Sequence, residues 1–300
     1  MGGTQGHVSV GFAFFVIGIW HLFNCIKLHA QHPKSYITMP WFPISKTIRY
    51  LELILIMGVS SAFISMEILI GQQPLDQDGT IRAKYLRHFE HSTMSMSFFV
   101  YAFFAILLDK ITAQAQHGLM LFLQAIAFGQ QLLILHLHST DHMGIEGQYH
   151  WLLQIVTFVS LFTTILAIGY PNNFLNGFAR SLSIIFQGVW LIVTGIMVWT
   201  PDLIPKGCFL KSEPGRDVVL CHGDRALERA KALVNLQFGW YMIGLSIFAM
   251  SFYLVLIKLY PEEKVEYQPL TKFEEQEEEK YNVDAQRKSK FCQSRNSLPL

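Results

Sequence analysis

Residues 118–170, GLMLFLQAIAFGQQLLILHLHSTDHMGIEGQYHWLLQIVTFVSLFTTILAIGY, decide how the chain folds. The segments 118–137 and 151–170 are each 20 residues long and contain no Asp, Glu, Lys or Arg. An α-helix needs about 20 mostly apolar residues to cross the hydrocarbon core of a bilayer. Two such segments joined by a short polar link read as a pair of antiparallel membrane helices. Working outward, five more stretches fit the same template: 8–28, 51–70, 88–108, 178–199 and 234–259. Pro33, Pro40 and Pro43 interrupt the chain after the first, and Pro74 with Asp78-Gly79 after the second. Pro171-Asn172-Asn173 follows the fifth, and Pro201, Pro205 and Pro214 the sixth. Trp20, Trp151, Trp199 and Trp240 stand near span ends, where an amphipathic ring prefers to sit. The expected fold class is all-α, a polytopic integral membrane protein built as a seven-transmembrane-helix bundle.

Composition agrees. The 300 residues are 51% hydrophobic and 15% charged, with net charge +1; soluble domains carry about 25% charged residues. The charge balance speaks against a nucleic-acid partner and points to the lipid bilayer as the main one. Charge is also uneven. Residues 261–300 hold nine acids and seven bases. The expected organisation is therefore a seven-helix membrane domain over 1–260 and a disordered, charged cytosolic tail over 261–300. The first span has no basic residue before it and exceeds a typical signal-peptide core, so it reads as a retained helix.

Seven spans place the two ends on opposite sides. Cys208 and Cys221 share the sixth connection. As a disulfide they would require an oxidising lumen or exterior, with the N-terminus lumenal or extracellular and the C-terminus cytosolic. The alternative is two free thiols.

In that up-down order the ends of spans 2, 3, 4 and 5 that meet on one side are rich in histidine. His91, His136, His138 and His150, with Glu67, are the candidate metal ligands. His7, His88 and His142 extend the rim. His88 and His91 are i,i+3 and share a helix face. Gln124, Gln131 and His138 form a stripe at seven-residue spacing, and His150, Gln154 and Thr157 form another. Polar stripes are costly in lipid, so they should face the bundle interior. His136 and His138 are i,i+2 and point apart on a regular helix. Three chemistries fit these residues. Imidazole and carboxylate can bind a transition metal, zinc, iron or copper. Histidine can relay protons or hold a substrate in a membrane enzyme or transporter. Or the groups hydrogen-bond between helices with no ligand. There is no Cys-x-x-Cys-His for covalent haem, and no nucleophile triad is readable.

Several short patterns recur in one order along the membrane body. They are Gly6-His7 followed by Gly11, Glu52 and Glu67, and His91-Ser92-Thr93-Met94. Then come His136-Leu137-His138 with His150, Arg180-Ser181-Leu182, Gln187-Gly188, Trp190 and Pro201. Together they resemble the transmembrane protein 45 family, the domain of unknown function 716, which includes putative viral-response proteins. Where several members carry Trp-His-Tyr in the seventh span, this chain has Trp240-Tyr241-Met242. The resemblance implies a multi-pass protein of secretory or endosomal membranes (Golgi, endosome or plasma membrane) and carries no assigned reaction.

Three other features deserve an expectation. Tyr267-Gln268-Pro269-Leu270 fits a Tyr-x-x-Φ sorting signal, with Tyr267 and Leu270 as its anchors. It implies a sorting adaptor as partner, and with it a second reading of the whole chain as a non-enzymatic membrane adaptor or trafficking protein. Arg49 and Glu52 are i,i+3 and read as an interfacial ion pair. Gly188 and Gly195 are seven apart and mark a face for close helix packing.

Overall fold

A computed structural model describes residues 3–71, 78–139, 144–213 and 216–262, apart from the side chains of residues 70, 71, 83, 84, 138, 139, 213 and 216. Among these residues there are seven long helices: α1 (Thr4–Gln31), α2 (Leu51–Gly71), α3 (Ala83–Ile111), α4 (Gln116–Ser139), α5 (Gly144–Gly169), α6 (Phe174–Trp199) and α7 (Asp224–Leu259). All seven are long and apolar enough to cross a membrane. The chain is an all-α integral membrane protein with one addition, a two-stranded antiparallel hairpin between α6 and α7. Its strands are β1 (Cys208–Glu213) and β2 (Arg216–Cys221). Residues 263–300, with Tyr267 and Leu270, lie outside the described residues, as does His142.

The helices overrun the apolar windows, and the reason is visible at each end. α3 begins at Ala83, before the His88–Glu90 turn, because its first turns find polar partners on α2. α7 begins at Asp224 and runs for 36 residues, about 54 Å at the α-helical rise. That exceeds a hydrocarbon core of about 30 Å, so α7 projects past it at the hairpin end. Cys208 and Cys221 form a disulfide across the first pair of the hairpin register. Val219 on β2 turns inward and packs with Tyr149, Leu153, Trp190 and Val234.

The tightest packing is between α1 and α6. A Cβ on Gly11 would stand 2.7 Å from Gly188 O, one on Gly18 2.6 Å from Ile185 N, and one on Gly195 2.8 Å from His7 Cβ. Both glycine pairs are seven residues apart, which keeps one face of each helix bare over two turns. Small residues let backbones approach where lipid supplies no hydrophobic drive for association. α6 is consequently the central helix, with Arg180, Gln187 and Trp190 fully buried. By contrast, the buried residues of α7 are only Ala230, Val234, Ala249 and Leu256.

The connection between α1 and α2 is irregular, yet Tyr36, Thr38, Trp41 and Phe42 are buried. Backbone without helix partners at this depth must find them elsewhere. Thr38 N donates to Pro171 O at 2.7 Å. Tyr101 Oη donates to Pro40 O at 2.8 Å, and His117 Nε2 donates to Thr38 O at 3.1 Å.

Gly188→Ala should lower stability in detergent by about 1–3 kcal/mol, the range for overpacking, because its Cβ meets the backbone of Phe15 and Gly11. Gly58→Ala, which meets nothing within 4 Å, should be neutral or stabilising. Thermal unfolding of the two variants checks the contrast.

Candidate functional site

At the hairpin end of the bundle, Glu67 from the last turns of α2 is 0% exposed. His88 Nδ1 donates to its Oε2 at 2.6 Å, and His91 Nδ1 lies 3.5 Å from its Oε1. The i,i+3 spacing on α3 puts both rings over one carboxylate. His7 on α1 packs edge-on to His150 on α5, ring centroids 5.6 Å apart, and lies 4.8 Å from the Trp199 ring. His7 Nδ1 donates to Gly3 O, and His150 Nδ1 to Glu146 O. His7 is within electrostatic reach of His91, His150 and Glu146, so the α1, α3 and α5 parts of the rim face one another.

The other expected residues sit differently. His136 is exposed on α4, and its Nδ1 donates to Gln154 Oε1 at 3.2 Å. His138 is in the last turn of α4, and its side chain is outside the described set. Among the described residues, no three or more His, Cys, Asp or Glu side chains are placed to share a metal ion. The structure thus joins Glu67 to His88 and His91, and His7 to His150, with His136 on the α4–α5 seam.

That seam is the second component of the site. Gln124 and Gln131 of one stripe and His150, Gln154 and Thr157 of the other are buried, and several of them bond across helices. Gln131 Nε2 donates to Gln187 Oε1 at 3.1 Å, and Gln187 Nε2 to Ser160 Oγ at 2.6 Å. Ser160 Oγ donates to Ser183 Oγ at 2.8 Å, and Ser183 Oγ to Arg180 O at 2.8 Å. Thr157 Oγ1 reaches Gln187 Oε1 at 3.4 Å. Arg180 Nη1 closes the series on Gln124 Oε1 at 2.9 Å. A string of amides and hydroxyls therefore follows α4, α5 and α6 through the interior.

At the opposite end lies a group that spacing along one helix does not reveal. Glu52, at the start of α2, accepts from His21 Nε2 at 2.7 Å, Phe42 N at 2.9 Å and Trp20 Nε1 at 3.1 Å. His21 is 1% exposed. The expected Arg49–Glu52 pair is not formed. Arg49 instead makes a bidentate contact with Asp109 of α3, both bonds at 2.9 Å, and the Asp109 bonds raise the guanidinium above its ordinary value. The reason is position. Arg49 precedes α2 and points outward, whereas Glu52 is in its first turn and faces α1. The cue that could have found the His21–Glu52 pair is that both are ionisable groups inside apolar windows, which lipid tolerates only when they turn inward and pair.

A hydrogen bond to a charged group contributes about 1.5–3 kcal/mol, and losing one partner strands the other in the interior. Glu52→Gln should fall near that range in detergent unfolding. The His21→Ala, Glu52→Ala double variant should lose less than the sum of its singles.

No curated protein matches the chain. Residues 117–254, which contain the seam, match the family of unknown function DUF716, so the expected likeness to that family holds over α4, α5, α6 and most of α7.

Proposed function

We propose that the protein is a proton-linked membrane transporter. The observation that carries this reading is the pair of buried histidine–carboxylate contacts at opposite ends of α2, His21–Glu52 at 2.7 Å and His88–Glu67 at 2.6 Å. Glu52 and Glu67 are fifteen residues apart on α2, about 22 Å along a helix. An ionisable side chain inside a membrane is costly, and a histidine next to a carboxylate offers a place where one proton can be gained or lost near neutral pH. One such group stands at each membrane side, and the α4–α6 seam supplies polar contacts between those depths. In this reading Glu67, His88 and His91 exchange protons at the hairpin end, His21 and Glu52 exchange them at the other, and His7 and His150 tune the first group.

The test is proton movement in proteoliposomes that hold the full chain and an internal pH dye, under an imposed pH gradient. It is run alone and with carboxylate, amino-acid or zinc salts. Wild type should dissipate the gradient faster than empty liposomes under at least one condition. Glu67→Gln and Glu52→Gln should each lower that rate at least tenfold. Wild-type rates equal to those of empty liposomes under every condition would overturn the reading.

A further inference from the structure

Arg180 is a buried, permanently charged group that proton exchange leaves unused. Its side chain is 2% exposed on the central helix. Nη1 donates to Gln124 Oε1 and Nη2 to Met39 O, both neutral acceptors. Among the described residues, Nε has no hydrogen-bond partner. One turn earlier on α6, on the same face, Asn176 is 8% exposed, and neither the nitrogen nor the oxygen of its amide is bonded to a described residue. The same holds for His21 Nδ1.

The ionisable groups around the guanidinium come from four elements. They are Cys25 on α1, Tyr36 on the α1–α2 connection, Glu52 on α2 and Tyr101 on α3. His117 on α4 joins the same connection through Thr38 O. Cys25 and Tyr36 hydrogen-bond each other at 3.1 Å, and Tyr101 is held by Pro40 O. Glu52 is the only carboxylate of this set, and its oxygens are occupied by Trp20, His21 and Phe42. The guanidinium fork, whose geometry matches a carboxylate, is therefore bonded to neutral oxygens alone.

We propose that Arg180 and Asn176 bind a small monovalent carboxylate, the solute that moves with the proton. This rests on the transporter reading and names its substrate class. Charge counting shows the coupling. With His21 neutral, the charges of Glu52 and Arg180 cancel. One proton taken up on the His21–Glu52 pair leaves a net positive charge at this end of the bundle. A carboxylate accepting from Arg180 Nε and Asn176 Nδ2 restores neutrality, so proton and anion enter together as a neutral pair. Binding is then tighter at lower pH.

The experiment is thermal unfolding of the full chain in detergent. Sodium formate, and in a parallel series sodium chloride, is titrated against sodium gluconate at constant ionic strength, at pH 5.5 and pH 7.5. A ligand that binds only the folded state raises the midpoint in a saturable way. Formate should do so in wild type, with half-saturation at least threefold lower at pH 5.5. Arg180→Gln should abolish the response. Since that variant can fail to fold, Asn176→Ala, which keeps the guanidinium, should raise half-saturation at least tenfold with its salt-free midpoint near wild type. No saturable response in wild type, or an unchanged response in Asn176→Ala, would overturn the site. An equal response to chloride would overturn the carboxylate assignment. Proton flux that persists without formate binding would sink this inference and leave the transporter reading standing. Formate binding without flux under any condition would do the reverse.

Discussion

The contact between the backbones of α1 and α6 sets the frame for everything else. Gly11 and Gly18 on one helix and Gly188 and Gly195 on the other remove the side chains that would hold the axes apart. Helix association in lipid depends on such close fit, because lipid tails are as apolar as leucine. Drawing α1 against α6 brings His7 beside Trp199 at one end. At the other it carries Cys25 and the Tyr36 segment to the Arg180 side of α6. Widening that contact would move polar groups at both membrane ends at once.

A second constraint follows from the first. With no water in the hydrocarbon core, a polar group drawn inside is costly unless it finds a partner in protein. Apart from a few groups around Arg180, Asn176, His21 and Gln131, the described interior meets this in two ways. Neutral amides and hydroxyls satisfy one another along α4, α5 and α6. Ionisable groups are kept near the ends, where Glu67 takes its partners from α3 and Glu52 takes its partners from α1 and the α1–α2 connection. That connection is irregular backbone held by Tyr101, His117, Arg180 and Glu52. Non-helical chain at this depth is tolerated only where protein surrounds it.

How much of this was legible depends on how local the signal is. The Gln124–Gln131 and His150–Gln154–Thr157 stripes are periodic along single helices, and they do face inward. His88 and His91 share a face by spacing alone, and they do share a carboxylate. The hairpin was not legible beyond its cysteines, because six-residue strands in a polar connection carry no helical period. The Arg49–Glu52 expectation failed for a related reason. Spacing along one helix says which residues are neighbours on its surface, but not which neighbour another helix offers; Asp109 and His21 outcompete the local partner.

The sequence by itself determined that this chain crosses a membrane in seven helices, that polar stripes on α4 and α5 turn inward, and that α6 carries a glycine face for close packing. These are consequences of length, apolarity and periodicity, which each segment expresses alone. Only the tertiary structure decided the partners: Glu67 with His88 and His91, Glu52 with His21, Arg180 with Gln124 and Met39. Residues far apart in the chain meet only once helix order, rotation and depth are set together, and those depend on the packing of all the helices at once.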